Sequence, residues 1–283
     1  MEKPCRFGRN QTLIGMLSTP DDTERPRADL AVVLLNAGIL HRVGPFRWYV
    51  ELSRRLSSMG FPVLRVDLAG KGDSERRPGL SRDESVDRDM EDIAGVLKRE
   101  VSARRFVLVG LCSGADDAVR LMGKDDRIVG AALLDGYAPK TIAYYLHHYG
   151  PRALRLDVWG RKLNKLMRRE GGAPDGDRVR YPDVEDPVNT PIRSFPTRAG
   201  FRRLLERLGN RNAKLLCIYT SGSHAYYNHQ GQLRASMRLR GFRNHVRERY
   251  FPEARHTLPT RRHQREMAAE VSDWLAANFA TPT

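Results

Sequence analysis

Residues 106–114 predict a tight turn between a strand and a helix, because they read Phe-Val-Leu-Val-Gly-Leu-Cys-Ser-Gly. The apolar run before Gly110 is typical of a buried strand. Gly110 and Gly114 flank Cys112 at positions where a side chain would crowd such a turn. The chain is therefore expected to reverse at Cys112 and to begin a helix near Ser113. A thiol at a helix N-terminus is favoured as the thiolate by the unpaired N–H groups and the helix dipole, although a simply buried cysteine fits the same pattern.

The chain around this turn alternates apolar runs with amphipathic segments of about ten to fifteen residues. Apolar residues recur at helical spacing between the runs, for example at Val86, Met90, Ile93 and Leu97. Such alternation predicts an α/β protein with a mostly parallel sheet that helices cover on both faces. The predicted strands are residues 30–35, 61–67, 106–109, 128–134 and 213–219.

The composition fits a single soluble domain. At 283 residues the chain is long enough for two domains, but α/β proteins of this size are commonly one. No stretch approaches the roughly eighteen apolar residues of a membrane-spanning helix, and the first residues lack the apolar core of a signal peptide, so we expect a cytoplasmic protein. Cys5, Cys112 and Cys217 are too few and too scattered for a disulfide framework or a metal site. We expect no metal ion and no cofactor.

Four short motifs occur in the order and spacing of the α/β-hydrolases. They are Asn36-Ala-Gly38, Arg65-Val-Asp-Leu-Ala-Gly-Lys-Gly-Asp-Ser74, Gly110-Leu-Cys-Ser-Gly114 and Arg255-His256-Thr257. The chain resembles small hydrolases of the serine-aminopeptidase and lysophospholipase type, especially the exosortase-associated group, over residues 5 to 280. Gly-x-Cys-x-Gly matches the nucleophile elbow of these enzymes with sulfur in place of the usual hydroxyl. The resemblance implies the α/β-hydrolase fold, which hosts many functions.

The same resemblance implies a division of the chain into two parts. Residues 1–138 plus 213–283 would form the α/β-hydrolase core. The divergent residues 139–212 would form an inserted helical cap that shapes the substrate pocket. A helical pair that stabilises the scaffold without touching substrate is the alternative for this insertion.

The resemblance places the catalytic base at His256. This histidine, one of eight, follows the strand-like residues 247–251 and precedes a terminal amphipathic helix. An imidazole within hydrogen-bond reach of a thiol forms a thiolate–imidazolium pair and later protonates the leaving group.

The usual acid is missing, because residues 214–246 contain neither Asp nor Glu. Asp135, at the end of the preceding strand, is the best substitute and would fix the tautomer of His256. A helix N-cap or a turn residue is the equal alternative for Asp135. A Cys–His dyad would also serve, since a free thiol has a pKa of about 8.5. The residues that could instead orient the histidine through a neutral hydrogen bond are Ser223, His224 and Asn228.

Two backbone N–H groups are expected to stabilise an oxyanion. One belongs to Ser113, whose side chain is expected to point into the helix, and the other to Gly38 or Ile39 in the loop after the first long strand. Asp116 and Asp117 would satisfy the dipole of that helix, and they would oppose a thiolate that they faced. The candidate substrate-binding residues are Asn36, His41, Tyr144, Tyr145 and His224.

The chain carries a formal net charge of +15, from 49 Lys and Arg against 34 Asp and Glu. Basic residues cluster within residues 152–169, 198–211 and 234–247. They would attract an anionic partner, such as an acidic acyl carrier protein, a coenzyme A thioester or an anionic lipid surface. A solvated basic face is the alternative. Specific nucleic-acid binding is not expected, because no recognition fold or stacking motif occurs.

Three classes of function fit these residues. The first is a cysteine-nucleophile acyl-transfer enzyme, an esterase, thioesterase or acyltransferase, that forms an S-acyl intermediate on Cys112 with His256 as base. The second is a non-catalytic binding protein built on the hydrolase fold, which the missing acid favours. The third is a lyase or cyclase that uses His256 and Asp135 without a covalent intermediate.

Overall fold

The computed structural model describes residues 1–21, 29–153, 197–237 and 245–279. Within them, eight strands form one sheet in the order β1-β2-β4-β3-β5-β6-β7-β8. The pairs β1–β2 and β2–β4 are antiparallel, and all other neighbours are parallel. The strands are β1 (Glu2–Phe7), β2 (Leu13–Ser18), β3 (Leu30–Leu35), β4 (Val63–Asp67), β5 (Arg105–Leu111), β6 (Ile128–Leu134), β7 (Lys214–Thr220) and β8 (Val246–Phe251).

Helices cover both faces of the sheet. They are α1 (Trp48–Ser58), α2 (Arg82–Val101), α3 (Ser113–Met122), α4 (Ile142–Ala153), α5 (Arg198–Asn210), α6 (Gln232–Met237) and α7 (Arg261–Phe279). Side chains of a strand alternate between the two faces. Val33 lies in the buried cluster that includes residues of α2, α3 and α5, whereas its neighbour Val32 lies in the cluster that includes residues of α1 and α7.

This architecture confirms the predicted fold class, a mostly parallel sheet flanked by helices. A continuous apolar run is typical of a strand that is buried on both faces, and all six residues of β3 are buried. The hairpin of β1 and β2 was not among the predicted strands. Its first strand, at the edge of the sheet, is mostly exposed and polar, so it lacks the apolar run that marks the inner strands.

The carboxyl ends of the parallel strands lie along one edge of the sheet. The strand order reverses there, because the chain leaves β3 toward β4 on one side and returns to β5 on the other. Ligands of open α/β sheets bind in the crevice outside the strand ends at such a reversal. The loop after β3 and the turn after β5 therefore frame the expected position of a site.

The predicted cap contains α4 and α5, and its residues 154–196 lie outside the described residues. The buried face of α5, which includes Phe201 and Leu208, belongs to the same core cluster as Leu215 of β7. This part of the insertion thus covers the sheet, as the core helices do. The basic segment 152–169 and the loop 171–197 fall almost entirely outside the described residues, as do residues 238–244 of the third basic run. None of the described helices has the length and apolar character needed to cross a bilayer.

Candidate active site

Cys112 lies at the predicted reversal between β5 and α3. Its backbone has φ 58° and ψ −120°, a conformation that is unfavourable for any residue except glycine. A Cβ on Gly110 would lie 2.2 Å from the carbonyl carbon of Gly114, and a Cβ on Gly114 would lie 2.5 Å from the carbonyl oxygen of Asn36. Both glycines are therefore required by close backbone approach, and the half-buried sulfur is presented just before the first turn of a helix.

His256 and Asp135 meet beside this turn. The Nδ1 atom of His256 lies 2.6 Å from Oδ2 of Asp135. The Asp135 carboxylate is fully buried and accepts two further hydrogen bonds from Thr220, one from the backbone N–H and one from the hydroxyl, both at 2.6 Å. These contacts do not match the alternative of a helix N-cap, because the nearest following helix, α4, begins seven residues later.

The electrostatics of His256 favour its protonated form. The Asp135 carboxylate raises the pKa of His256 to about 10, the Cys112 thiol adds to this rise through a second hydrogen bond, and burial opposes it. Nδ1 is taken by Asp135, so Nε2 is the atom that remains for the sulfur. A histidine with this pKa is a cation at neutral pH, which stabilises a neighbouring thiolate.

The loop after β7 supports the histidine instead of supplying an acid. A Cβ on Gly222 would lie 2.4 Å from Cβ of His256, so the backbone at this glycine packs directly against the ring. The hydroxyl of Ser221 donates to the carbonyl of Ala254 at 2.9 Å, and the hydroxyl of Tyr226 donates to the carbonyl of Asp135 at 2.7 Å.

The three neutral alternatives for orienting His256 make other contacts. The hydroxyl of Ser223 donates to the carbonyl of Thr220 at 2.7 Å. The amide of Asn228 donates to the carbonyl of Tyr144 at 3.0 Å. His224 is exposed, with its ring edge-on to Tyr250. Among the described residues, Asp135 is therefore the group that orients the histidine.

The loop after β3 faces the turn at Cys112. The backbone N–H of Gly38, at φ 59°, donates to the hydroxyl of Ser113 at 3.0 Å. The expectation that the Ser113 side chain points into its own helix is therefore wrong, because it reaches across to the β3 loop. The side chain of Ile39 is 80% exposed. A Cβ on Gly38 would meet no atom within 4 Å, so the space beside this glycine is open.

Asn36, a predicted substrate-binding residue, is fully buried and connects two loops. Its amide nitrogen donates to the carbonyl of Leu40 and to Asp67, both at 2.9 Å. Its amide oxygen accepts from the N–H of Leu68 at 2.8 Å. Both ends of the amide are engaged by the scaffold, so this side chain positions the loop that carries Gly38 rather than facing a substrate.

His41 belongs to a cluster with Asp67 and Asp73, and the three side chains lie close enough together to hold a metal ion. The guanidinium of Arg42 lies among them instead. Its Nη1 atom is 2.5 Å from Asp67, 2.7 Å from Asp73 and 2.6 Å from the ring of His41. Because an arginine cation already occupies the centre of the cluster, these residues fit a structural ion-pair network better than a metal site.

Tyr144, Tyr145 and His224 lie where α4 meets the loop after β7. The hydroxyl of Tyr144, a buried residue, donates to the carbonyls of Ala225 and His224 at 2.8 and 3.1 Å. Tyr144 thus fastens α4 to this loop. Tyr145 is half exposed and packs edge-on against Tyr144 with ring centroids 5.3 Å apart. Of the two tyrosines, only Tyr145 presents its side chain to the outside.

Of two charged residues near the sulfur, Lys71 was not among the predicted site residues, whereas Asp117 was expected to oppose a thiolate that it faced. Burial lowers the pKa of Lys71, and the charges of Asp117 and Cys112 act in the opposite direction. Asp117 is buried and paired with Arg82 at 2.8 Å. Its negative charge is therefore offset by a neighbouring cation, which reduces the expected opposition to a thiolate.

Neither a protein-family model nor a curated protein sequence matches the chain. Solved structures do match along its whole length. An esterase domain from Rhodothermus marinus shares 17% identity, with 99% of this chain and 100% of the other covered, at a TM-score of 0.56. An esterase from Pyrococcus furiosus shares 14% identity over 99% and 91% of the two chains, at a TM-score of 0.57.

A third similar structure is a proline iminopeptidase from Mycobacterium smegmatis, at 17% identity, 99% coverage of both chains and a TM-score of 0.54. Together with the sheet order and the turn at Cys112, these similarities show that the chain has the fold of the α/β-hydrolases. The fold that the sequence motifs implied is thereby confirmed. The closer resemblance to the exosortase-associated group stays a prediction, because the similar structures share too little sequence identity to decide it.

Proposed function

We propose that this protein is an acyl-transfer enzyme that uses Cys112 as its nucleophile on ester or thioester substrates. The observation that carries the proposal is the chain of contacts from the Asp135 carboxylate through His256 to the Cys112 sulfur. It joins a nucleophile, a base and a group that orients the base, in the arrangement that nucleophilic catalysis requires. The structural similarity to esterases supports the reaction class.

The proposed reaction has two halves. The Cys112 thiolate attacks the substrate carbonyl carbon, and the carbonyl electron pair moves onto the oxygen. The tetrahedral intermediate then collapses, His256 protonates the departing alcohol or thiol, and an S-acyl enzyme remains. In the second half, water or another acceptor gives its proton to His256 and attacks the acyl group, which restores the thiolate.

Each residue around the sulfur has a separate role in the proposed reaction. Asp135 holds the His256 ring through Nδ1, so that Nε2 faces the sulfur and the leaving group. The backbone N–H of Ser113, the first of α3, has no carbonyl one turn earlier to accept it and is a donor for the oxyanion. Of the two residues predicted to supply the second donor, Gly38 already donates its N–H to the Ser113 hydroxyl, and Ile39 follows it in the facing loop.

The basic charge of the chain supports an anionic acyl donor, an acidic acyl carrier protein or a coenzyme A thioester. Sulfur suits a thioester, because the attacking thiolate of Cys112 and the departing thiolate are similar leaving groups and the acyl group can pass from one sulfur to the other. Specific binding to nucleic acid is not part of the proposal.

Two alternatives are separated from this proposal by experiment. The non-catalytic binding protein was favoured by the absence of the usual acid, and the contact of 2.6 Å between Asp135 and His256 supports the enzyme instead. The lyase or cyclase needs the pair of His256 and Asp135 but not the sulfur, so it would survive the loss of Cys112.

The test is intact-protein mass spectrometry after mixing the protein with a panel of acyl thioesters. Wild type and Cys5→Ala, in which another half-buried thiol is removed, should both gain an acyl group, and Cys112→Ala should gain none. Decay of the adduct in water, or faster decay with added amines or alcohols, separates a hydrolase from an acyltransferase. Consumption of substrate by Cys112→Ala, with none by His256→Ala, would instead indicate the lyase or cyclase.

A further inference from the structure

The Ser113 hydroxyl has a partner for its oxygen but none for its proton. Its oxygen accepts a hydrogen bond from the N–H of Gly38 at 3.0 Å, and only 1% of the surface of the residue is exposed. A serine hydroxyl offers one donor and two acceptor positions. Among the described residues the structure shows no acceptor for the Ser113 proton. A buried donor without an acceptor is unfavourable, so this hydroxyl is available to donate a hydrogen bond to a ligand.

The position of the hydroxyl indicates what that ligand is. Ser113 directly follows Cys112, and its own backbone N–H is the first of α3. The same residue therefore presents two unused donors next to the sulfur. No atom lies within 4 Å of the position that a Cβ on Gly38 would take, so the space beside this glycine is open. An oxygen atom of a substrate that is bonded to the carbon under attack would lie in this region.

We propose that the hydroxyl of Ser113 is a side-chain donor of the oxyanion hole and that Gly38 holds it in place. The inference rests on the proposed acyl transfer. When the thiolate of Cys112 bonds to the carbonyl carbon, the carbonyl electron pair moves onto the oxygen, and the hydroxyl donates a hydrogen bond to that oxygen without transferring its proton. Gly38 acts through Ser113 in this arrangement, not by donating directly to the substrate.

The bond from Gly38 strengthens the hydroxyl as a donor. An oxygen that accepts a hydrogen bond becomes a better donor through its own proton, because the two bonds polarise one another. The bond also fixes the hydroxyl rotor before the substrate arrives, so that little reorganisation is needed when charge develops on the oxygen. A hydroxyl that merely blocks Gly38 would have the opposite effect, and its removal would free the N–H of Gly38 for the substrate.

The variant Ser113→Ala separates these two roles when two reactions of the same sulfur are compared. The first is acylation by p-nitrophenyl acetate and by the acetyl thioester of N-acetylcysteamine, both of which develop an oxyanion. The second is alkylation by iodoacetamide, which develops none and reports on the thiolate and its accessibility. Ser53→Ala is the matched control, because Ser53 is a buried serine whose hydroxyl donates within α1.

We expect Ser113→Ala to acylate about 100-fold more slowly than wild type, the usual effect of removing one oxyanion donor. Its alkylation rate should stay within about twofold of wild type, and Ser53→Ala should match wild type in both reactions. Unchanged or faster acylation by Ser113→Ala would overturn the inference, and so would an equal loss of acylation and alkylation, which would indicate a structural role. Alkylation without acylation in wild type itself would overturn the proposed function and this inference with it.

Discussion

Asp67 and Asp135 are two fully buried aspartates at the same edge of the sheet, one at the end of β4 and one directly after β6. The carboxylate of Asp67 accepts from two side chains, Asn36 and Arg42, and from two backbone N–H groups. The carboxylate of Asp135 accepts from Thr220 and from His256. Both are carboxylates held by short hydrogen bonds, and they differ in the cation that each one faces.

The partner of Asp67 is a guanidinium, which does not lose its proton in proteins. The hydrogen bonds of Asp67 therefore serve the scaffold, where they connect the loop after β3 to the loop after β4. The partner of Asp135 is an imidazole whose side chain is 35% exposed and which continues to the sulfur of Cys112. The two carboxylates thus differ in whether the partner can exchange a proton with a half-buried group, the thiol of Cys112.

Of the changes to these two networks, Asp135→Asn is expected to have the largest effect, a loss of acylation rate. An asparagine amide favours the wrong tautomer of His256 and removes the negative charge that keeps the ring protonated. We expect acylation of Cys112 to slow by about 10,000-fold, with the fold retained. The rate should be measured as the release of p-nitrophenol from p-nitrophenyl acetate under single-turnover conditions, with the protein in excess. A loss of less than tenfold would mean that a Cys–His dyad suffices and that Asp135 resembles Asp67.

The matched change, Asp67→Asn, should act on stability instead of chemistry. It leaves the guanidinium of Arg42, which is only 16% exposed, without one of its carboxylates, and breaking a buried pair in this way costs about 3 kcal/mol. Urea unfolding followed by circular dichroism measures this loss. The acylation rate of the folded protein should fall by less than tenfold. A rate loss as large as that of Asp135→Asn, without loss of stability, would contradict the distinction between the two aspartates.

The difference between the two partners also predicts a pH dependence. The pKa of His256 is raised from its usual 6.5 to about 10 in the folded protein, so between these values the folded state holds a proton that the unfolded state has lost. This contribution to stability is fully present below about pH 6.5 and disappears as the pH rises through 10. The free energy of unfolding should therefore fall more steeply from pH 7 to 10 in wild type than in His256→Asn. Equal slopes would show that the pKa is not raised.

The smallest expected effect is that of Tyr144→Phe at the edge of the site. Loss of the hydroxyl removes the hydrogen bonds to the carbonyls of Ala225 and His224, which costs about 1 kcal/mol of stability. The kcat and KM for thioesters should stay within about twofold of wild type, because the hydroxyl is occupied by the scaffold. Tyr145→Phe serves as the comparison on the exposed side of α4. A tenfold rise in KM for Tyr144→Phe, with none for Tyr145→Phe, would instead support the prediction that Tyr144 contacts the substrate.

The parts of the fold that follow from local periodicity could be predicted from the sequence. The inner strands are continuous apolar runs, the helices repeat apolar residues at helical spacing, and the turn at Cys112 needs glycine on both sides, so each of these features depends on neighbouring residues alone. The hairpin of β1 and β2 depends on the pairing of β2 with β4. This contact joins residues that are distant in the sequence, and the polar edge strand β1 lacks the apolar run that would predict it.

The candidate site divides in the same way. The positions of Cys112 and His256 followed from motifs. The partner of each polar side chain did not, because a short polar residue after a strand can bind a substrate, a ring or a loop equally well. Asn36 turned out to connect two loops, Thr220 to hold Asp135, and Ser113 to reach Gly38. The partners of Ser113 and Thr220 are 75 or more residues away along the chain. Local sequence therefore does not indicate them.

The left-handed backbone at position 112 has a consequence for how this sequence can change over time. A residue other than glycine held at such a φ loses about 1 to 3 kcal/mol of stability, so Cys112→Gly should make the protein harder to unfold while removing its sulfur. Selection for stability alone would therefore replace the cysteine with glycine. The thiol at position 112 therefore makes the fold weaker than glycine would at the same position.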